Sequence, residues 1–379
     1  MKKVITSVIA FAAVLALSAT LVGCGSSSSS SSSSSSTTSS ETTKVGCIYI
    51  GSANDGCFTQ VMDESLEAAA AATGFELVKN ENTAEDKQTV TDVATNMIDQ
   101  GCTVIVGCSY GFGEAMDELA NSGNYDDVTF LHFSGPYQNE ATMENFFGSM
   151  EQARYLTGMA AAAVSQTGKI GFVAAHPYTE VQIGINAFAL GAQAINPDID
   201  VQVVYINTWG DAVLEKEAAE QLLAAGCDVL AYHADSTATQ TAAAEAGAYA
   251  IGWNLKNNAA GDKYLTAAYW DFTDYFTERF NQITEGTFKP TGTTPFSTYG
   301  SLSDGMINVD EFNADVPADV LTKITEAQTK LTSGEMKVFS GAIEYADGTA
   351  LCAEGQTLTD DEIWQINNVV KGVTAIDAN

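Results

Sequence analysis

The sequence predicts an α/β protein of two similar lobes, each with a parallel β-sheet covered by helices on both faces, joined through a hinge. Short apolar segments typical of strands alternate along the chain with amphipathic segments of helical period. Parallel strands need such helical crossovers, so the alternation indicates parallel sheets. A repeat indicates two copies of the unit, because 44–50 (KVGCIYI) resembles 169–175 (KIGFVAA) and 100–107 (QGCTVIVG) resembles 225–232 (AGCDVLAY), with the same offset of 125 residues in both pairs.

The first lobe is predicted over 44–165. Its strands are predicted from the segments CIYIG, FELVKN, TVIVG and TFLHF. Two helices are predicted from QVMDESLEAAAAAT and QTVTDVATNMIDQ. They are expected to end at Gly74 and Gly101, because glycine readily takes the left-handed conformation that closes a helix.

The second lobe is predicted over 166–290, with strands from KIGFVAA, VQVVYI, DVLAYH and AYAIGW. The last segment, 291–379, departs from the repeat. STYGSLSDGMINV predicts two strands about a turn at Asp304-Gly305, and Pro317 is expected to open a helix over 317–333. We expect this segment to return to the first lobe and to complete it together with the hinge.

The N-terminus predicts export. Two lysines precede an apolar run, which is the layout of a signal peptide, here over 1–23. Leu21-Val22-Gly23-Cys24 resembles the lipobox of bacterial lipoproteins, which implies cleavage before Cys24 and lipid attachment to its thiol. An uncleaved membrane anchor is the alternative, since the run approaches the length of a bilayer span. Residues 24–43 are dominated by serine and predict a disordered linker.

Charge and cysteines narrow the class of protein. The formal net charge is −32, and no basic stripe with interleaved aromatics occurs, so nucleic acid is a poor partner. The acidity favours solubility outside the cell.

Of the cysteines after Cys24, four lie within or beside apolar runs and are expected to be free thiols: Cys47, Cys102, Cys108 and Cys227. The contexts of Cys57 and Cys352 do not decide between free thiol and disulfide.

Candidate ligand residues follow the predicted strands. In open parallel sheets ligands bind beyond the carboxyl ends of the strands, and two facing lobes would place those ends in one cleft. The candidates from the first lobe are Asn54, Asp55, Phe58, Ser109 and Tyr110. Those from the second lobe are Asn207, Trp209, His233, Asp235, Trp253, Asn254 and Trp270. Ser134, Gly135, His176, Tyr178, Thr208 and Asp271 occupy similar places.

Aromatic, amide and carboxylate groups dominate these candidates. No arginine is near them in sequence, and the only close lysine is Lys256. A phosphate or a free amino acid would require a cation, whereas a flat heterocycle suits aromatic faces with donors and acceptors for its edge. Sugars also stack on tryptophan and bind Asp and Asn, so composition alone leaves both open.

Catalysis and cofactors are not expected. The sequence has three scattered histidines, without metal-ligand spacing, and His132 is expected to be a core residue. His233, Asp235 and Ser236 are too close in sequence to form a nucleophile, base and orienting acid in line, and no G-x-S-x-G motif occurs. We therefore predict a binding protein rather than an enzyme, with no cofactor and no metal.

Over 44–345 the chain resembles the basic membrane protein family, the PnrA-like substrate-binding lipoproteins of ABC transporters. The segments that carry the resemblance, in family order, are KVGCIYIGSANDGCFTQVMDES, FFGSMEQARYLTGMAAA, KIGFVAAHPYTEVQIGINAFALGAQAINPD, VVYINTWGDAVLEKEAAEQLLAAGCDVLAYHADS, AIGWN and GSLSDGM. The resemblance implies the type I periplasmic-binding-protein fold with two Rossmann-like lobes. It also implies a purine nucleoside or nucleobase as ligand, an ABC permease as partner, and a lipid-anchored position on the extracytoplasmic face of the cell membrane.

By position, Asn54 and Asp55 match the polar turn of the family and Phe58 its aromatic turn residue. The second-lobe ligand positions of the family match Trp209, Asp235, Trp253 and Asn254. The turn departs from the family pattern, because CFTQ stands where GWTY is usual. A type I binding protein for a sugar or another small polar solute is the alternative.

Overall fold

The structure is a computed structural model, and it describes residues 42–376. The predicted signal peptide (1–23), Cys24 and nearly all of the predicted linker (24–43) lie outside the described residues. The export, anchoring and linker predictions therefore stay predictions.

The first sheet is parallel throughout. Its strands are β1 (Lys44–Tyr49), β2 (Glu76–Asn80), β3 (Cys102–Cys108), β4 (Thr129–Phe133), β5 (Met143–Gly148) and β11 (Thr298–Gly300). Their order across the sheet is β11-β5-β4-β3-β1-β2. The strands predicted from the first copy of the repeat are confirmed as β1 to β4, whereas β5 lies in MENFFG, a segment for which the sequence analysis predicts no strand.

Three helices of the first lobe follow its strands. They are α1 (Phe58–Thr73), α2 (Lys87–Asp99) and α3 (Gly113–Ala120). Gly74 ends α1 with a φ of 79°, and Gly101 follows α2 with a φ of 91°, so both helices end where glycine was expected to end them. The start of α2 is capped by the Asp86 carboxylate, which accepts from the Thr89 backbone N–H at 2.9 Å.

The second sheet repeats this arrangement. Its strands are β6 (Lys169–Ala174), β7 (Asp200–Tyr205), β8 (Val229–His233), β9 (Tyr249–Asn254), β10 (Tyr264–Trp270), β12 (Ile307–Val309) and β15 (Val373–Ile376). Their order is β12-β10-β9-β8-β6-β7-β15, and only the β10–β12 pair is antiparallel. The repeated strands β1 and β6 hold the same place, each with its two following parallel neighbours on either side, which confirms the predicted two-lobed α/β fold.

The helices of the second lobe include α5 (Thr179–Ile195), α6 (Ala212–Ala224) and α7 (Ala238–Glu245). Beside α5 lies α4 (Met150–Val164), and two glycines allow a very close approach. A Cβ atom on Gly158 would lie 2.0 Å from the Phe188 carbonyl oxygen, and one on Gly191 would lie 1.9 Å from the Tyr155 carbonyl oxygen. Any larger residue at either position would push the two helices apart.

The predicted domain boundaries are wrong in detail, because helices at the crossovers pack on the opposite lobe. Assigned to the first lobe by sequence, α4 packs on α5 of the second. The helix α8 (Thr273–Glu285), assigned to the second lobe, packs on α1 of the first. The chain thus passes between the lobes just before α4, just before α8, and at 301–306 between β11 and β12.

The return segment (291–379) mostly joins the second lobe rather than the first. The strands β11 and β12 flank the predicted turn at Asp304-Gly305, but they belong to different sheets and only β11 completes the first. The helix α9 (Ala318–Ser333) begins after Pro317 as predicted, and its apolar face packs in the core of the second lobe. The remaining elements are β13 (Ile343–Glu344), β14 (Ala350–Cys352) and α10 (Asp360–Ile363). The return segment joins the second lobe because β12 pairs with β10 and β15 pairs with β7, two strands of the second sheet that are distant from them in sequence.

All six cysteines within the described residues are buried free thiols, including Cys57 and Cys352. Burial raises the pKa of the Cys47 thiol to about 12, so it behaves as an inert apolar side chain. The expectation of free thiols at Cys47, Cys102, Cys108 and Cys227 is confirmed.

Candidate functional site

A cavity lies where the carboxyl ends of the two sheets face each other. Nine of the twelve ligand residues predicted from the sequence line it, namely Phe58, Ser109, Tyr110, Trp209, His233, Asp235, Trp253, Asn254 and Trp270. Four further lining residues are Ile50, Phe133, Phe147 and Glu180. Both lobes contribute lining residues, so the cavity forms only when the two lobes lie close together.

Aromatic rings form most of the wall. In the first lobe, Phe58 begins α1 and its ring lies 4.8 Å from that of Phe133 at the end of β4. From the second lobe, the Trp270 ring meets Phe133 edge-on at 5.6 Å between centroids. The rings of His233 and Trp253, at the ends of neighbouring strands, lie 4.4 Å apart. Such rings offer flat apolar faces with few polar atoms between them.

Three polar side chains at the cavity form a hydrogen-bonded series. The Trp270 Nε1–H donates to Asn254 Oδ1 at 3.0 Å, and Asn254 Nδ2 donates to Asp235 Oδ1 at 3.0 Å. Asn254 has a φ of 65°, a left-handed conformation that asparagine tolerates better than most residues. The series fixes the Asn254 amide and leaves the second oxygen of Asp235 available to the cavity.

Burial raises the pKa of Asp235 well above its usual value, and the neighbouring carboxyls of Asp55, Glu215 and Glu180 add to the effect. A ligand N–H or O–H that donates to this carboxylate would replace part of the lost hydration. Asp235 is therefore suited to accept hydrogen bonds from a neutral ligand.

Glu180 is a second carboxyl at the cavity, near the start of α5. Ser134 Oγ, from the first lobe, donates to Glu180 Oε2 at 2.5 Å. Burial raises the pKa of Glu180 to about 7. Among the residues that the structure describes, Ser134 is the one hydrogen-bond donor to this carboxyl, so its other oxygen is free to meet a ligand.

Contacts across the cleft hold the lobes together over the cavity. Trp209 Nε1 donates to Glu85 Oε2 at 3.2 Å. On its own lobe Glu85 accepts from the Gly111 N–H at 2.8 Å and from the Ser109 hydroxyl. In a second contact between the lobes, Asn257 Nδ2 donates to the Gly56 carbonyl at 3.2 Å. The cleft is therefore closed in this structure.

Three predicted ligand residues do not line the cavity. The Asp55 carboxylate accepts from the backbone N–H groups of Cys57, Thr59 and Gln60 at 2.7, 3.0 and 3.1 Å, so it organises the start of α1. Asn54 is exposed, and its Oδ1 accepts from Ser52 Oγ at 2.8 Å. Asn207 is also exposed and, with Asp55, lines a separate cleft beside the cavity.

Sequence reasoning missed some lining residues for identifiable reasons. Ile50 follows β1 and Phe133 ends β4, so the rule of strand ends could have found both. Phe147 is near the end of β5, for which no strand is predicted from sequence. Glu180 lies on a helix, one turn beyond the strand end, and only the packing of α5 brings it to the cavity.

One arginine that is distant in sequence from the candidate residues lies close to the site in space. Arg154, on α4, is fully buried, and its guanidinium carbon lies 3.6 Å from the centre of the Trp253 ring. Its Nη2 donates to the Tyr232 carbonyl at 2.8 Å. Arg154 lies behind the tryptophan and is not among the residues that line the cavity. Local sequence patterns do not predict a contact between residues as far apart in sequence as Arg154 and Trp253.

Three features are absent from residues 42–376. Within this range no group of three His, Cys, Asp or Glu side chains is placed to hold a metal ion. No helix of the same range is long and apolar enough to cross a bilayer. The hydrogen bonds found there include none that joins His233 to Asp235 or Ser236.

Two facing α/β lobes with an aromatic cavity at the carboxyl ends of their sheets are the type I periplasmic-binding-protein fold. The fold matches an ABC transporter solute-binding protein from Conexibacter woesei, with a TM-score of 0.62 and 23% identity over 78% of this chain and 98% of that one. A solute-binding protein from Aeropyrum pernix gives a TM-score of 0.68 at 17% identity, over 80% of this chain and 93% of the other. At these identities the likeness establishes the fold alone.

The chain belongs to the PnrA-like family of ABC transporter substrate-binding proteins, whose sequence profile matches residues 42–339. This confirms the family predicted from the sequence. A purine-binding protein of Brucella abortus is 31% identical over 76% of this chain and 81% of its own length. A protein of Haloferax volcanii described as an ABC transporter glucose-binding protein is 29% identical over 76% of this chain and 72% of its own length.

Proposed function

We propose that this protein is a lipid-anchored, extracytoplasmic solute-binding component of an ABC importer that captures a purine nucleoside or a purine base. The observation that carries the proposal is the closed cavity between the lobes, walled by aromatic rings and carrying the hydrogen-bonded series Trp270, Asn254 and Asp235. The cavity binds the ligand without chemical change.

The chemistry of the lining favours a flat, neutral heterocycle. Rings from both lobes offer faces for stacking, among them Phe58 from the first and Trp209 and Trp253 from the second. Asp235 and Glu180 supply acceptors for N–H groups at the ring edge, or for ribose hydroxyls. No lysine or arginine lines the cavity within the described residues, so a phosphate group would find two buried carboxyls and no counter-charge. Nucleosides and bases suit the site better than nucleotides.

The similarity to the purine-binding protein of Brucella abortus supports this ligand class. This support comes from sequence similarity and is independent of the geometry of the cavity. The CFTQ turn also keeps an aromatic face, because Phe58 lines the cavity where the family has another aromatic residue.

The proposed location rests on the sequence before Lys44. The segment LVGC supplies the thiol of Cys24 for lipid attachment, and the serine-rich residues after it would let the binding lobes move near the membrane surface. The partner of the closed, loaded protein would be the permease of the ABC importer, as for the family.

A sugar is the second candidate ligand. The relative from Haloferax volcanii supports it, and aromatic rings beside carboxylate and amide groups also suit sugar faces and hydroxyls. The same cavity would then bind a pentose or a hexose.

Calorimetry with the purified protein separates the two candidates. The ligands are adenine, guanine, hypoxanthine and their nucleosides, with ribose, glucose and galactose as the sugar series. We expect binding of one or more purine compounds and none of the sugars. Sugar binding without purine binding would replace the first proposal with the second. Denaturing the protein and identifying any released co-purified ligand by mass spectrometry gives an independent answer.

A further inference from the structure

A smaller enclosed space, here called the inner chamber, adjoins the ligand cavity on its hinge side. Four residues line both spaces, namely Phe147, Glu180, His233 and Trp253, and the chamber is further lined by Glu151 and Gly184 among others. It has room for about one water molecule or one small polar group. These shared side chains place the chamber directly beside the main cavity.

Buried polar atoms without hydrogen-bond partners are concentrated around the inner chamber. Within residues 42–376 there are eleven such side-chain atoms; three of them belong to residues that line the chamber, and two belong to Arg154, whose Nε lies beside Gly184 of the chamber wall. These five are Glu151 Oε2, Arg154 Nε, Arg154 Nη1, His233 Nδ1 and Trp253 Nε1. Buried donors and acceptors are nearly always paired in folded proteins, so this concentration indicates that a polar group belongs in the chamber.

Gly184 leaves space beside two of these unpaired atoms, because it has no side chain. A Cβ atom on this residue would lie 3.7 Å from both Arg154 Nε and His233 Nδ1. The glycine lies inside α5, where its backbone needs no special conformation, and a methyl group there would make ordinary contacts. Because glycine lowers helix stability, its use at this position suits a need for space beside the arginine and the histidine.

Titratable side chains line the chamber or lie next to its wall. Arg154 is fully buried, and it takes part in none of the ion pairs between described residues. The carboxyls of Glu151 and Glu180 both line the chamber. A small polar group in the chamber would meet these carboxyls and, beside Gly184, the Nε of Arg154.

We infer that the inner chamber is a subsite that receives a small polar substituent, an amino or an oxo group, on the ring of the bound ligand. Donors and acceptors both line the chamber, so either substituent can be accepted there. A hydrogen atom or a methyl group at the same ring position would leave the buried polar atoms unpaired and would be rejected. This inference deepens the proposed function and rests on it.

The test is a calorimetric series with the intact protein and four ligands of one ring shape: adenine, hypoxanthine, unsubstituted purine and 6-methylpurine. We expect adenine or hypoxanthine to bind at least about 10-fold more tightly than purine and 6-methylpurine, since one hydrogen bond to a charged group has roughly that effect. Equal affinities for all four ligands would overturn the inference, independently of any variant.

The variant Gly184→Ala fills the chamber without touching the main cavity. We expect it to lower the affinity for the substituted ring to that for purine, while the affinity for purine itself changes less than about twofold, and to leave the thermal unfolding temperature unchanged or raised. Ala194→Ser adds one atom at an exposed site of the same helix and should alter none of the affinities. A preference for the substituted ring that survives in Gly184→Ala would overturn the subsite. If no purine compound binds the unaltered protein, the proposed function itself fails, which is a different result.

Discussion

Trp209 of the second lobe donates its indole N–H to the Glu85 carboxylate of the first lobe, across the mouth of the cleft, at 3.2 Å. The same carboxylate accepts from the Gly111 N–H at 2.8 Å, so its position is fixed before the lobes meet. Glu85 is thus a preorganised acceptor for the lobe that closes on it.

Removing this acceptor should speed the release of ligand. In Glu85→Ala we expect the dissociation rate constant and Kd to rise by roughly 2- to 12-fold, the effect of one net hydrogen bond, with little change in the association rate constant. Stopped-flow tryptophan fluorescence measures both rates. Glu81→Ala is the matched control, because Glu81 accepts from Ser52 and Ala53 within the first lobe only. An unchanged dissociation rate in Glu85→Ala would show that the contact does not hold the cleft closed.

Asp235 should matter for affinity more than for folding. We expect Asp235→Ala to weaken purine binding by roughly 2- to 12-fold, the effect of one net hydrogen bond, because burial disfavours the charged form of this carboxyl. The variant should be no less stable than the unaltered protein, since burial penalises the carboxylate in the empty site. Calorimetry gives the affinity and urea unfolding the stability. Tight purine binding by the variant would contradict a ligand role for this carboxyl.

Glu180 should make stability depend on pH. Burial raises its pKa from 4.5 to about 7, so between these values the native protein holds a proton that the unfolded chain has released. Its contribution is complete below the unfolded pKa and is lost as the pH rises through the native pKa, to a total of about 3 kcal/mol.

The variant Glu180→Gln isolates this effect, because it keeps an oxygen that can accept from Ser134. Relative to the unaltered protein, it should gain stability at pH 8 by up to about 3 kcal/mol and change little at pH 4. Urea unfolding at both pH values measures the difference. Glu114→Gln, at an exposed carboxyl, serves as control. A stability difference that is the same at both pH values would contradict the raised pKa.

Trp364, in the segment beyond the family match, should support the hinge side of the cavity. Its ring lies 5.0 Å from that of Phe147, and its Nε1–H donates to the Tyr299 hydroxyl at 3.2 Å. We expect Trp364→Ala to cost about 3 kcal/mol of unfolding free energy, and Trp364→Phe distinctly less, because most of the loss is ring packing. Urea unfolding tests both variants. An equal loss of unfolding free energy in the two variants would show that the hydrogen bond to Tyr299, rather than ring packing, accounts for the loss.

Cys24 lies outside the described residues and is open to a direct test of anchoring. In Cys24→Ala we expect the protein to leave the membrane fraction while its ligand affinity stays the same, because the thiol would carry the lipid and the cavity lies in the two lobes. Cell fractionation with immunoblotting measures the first and calorimetry the second. A variant that still sediments with membranes would exclude the lipid anchor.

Local patterns in the sequence determined the alternation of strands and helices, the two copies of the unit, and the ends of α1 and α2. These follow from side-chain period and from glycine conformations, which act over a few residues. The same patterns placed Phe58, Trp209, Asp235 and Trp253 near one another, because the carboxyl ends of parallel strands share an edge.

Tertiary structure alone decided which lobe each crossover helix covers and which strand each edge segment joins. For this reason α4 brings Arg154 behind Trp253, α5 brings Glu180 to the cavity, and β12 and β15 extend the second sheet rather than the first. Such contacts join residues far apart in sequence, and their free energy comes from shared burial and ladder hydrogen bonds. Local sequence patterns predict neither this burial nor these hydrogen bonds, because both form only when the lobes pack.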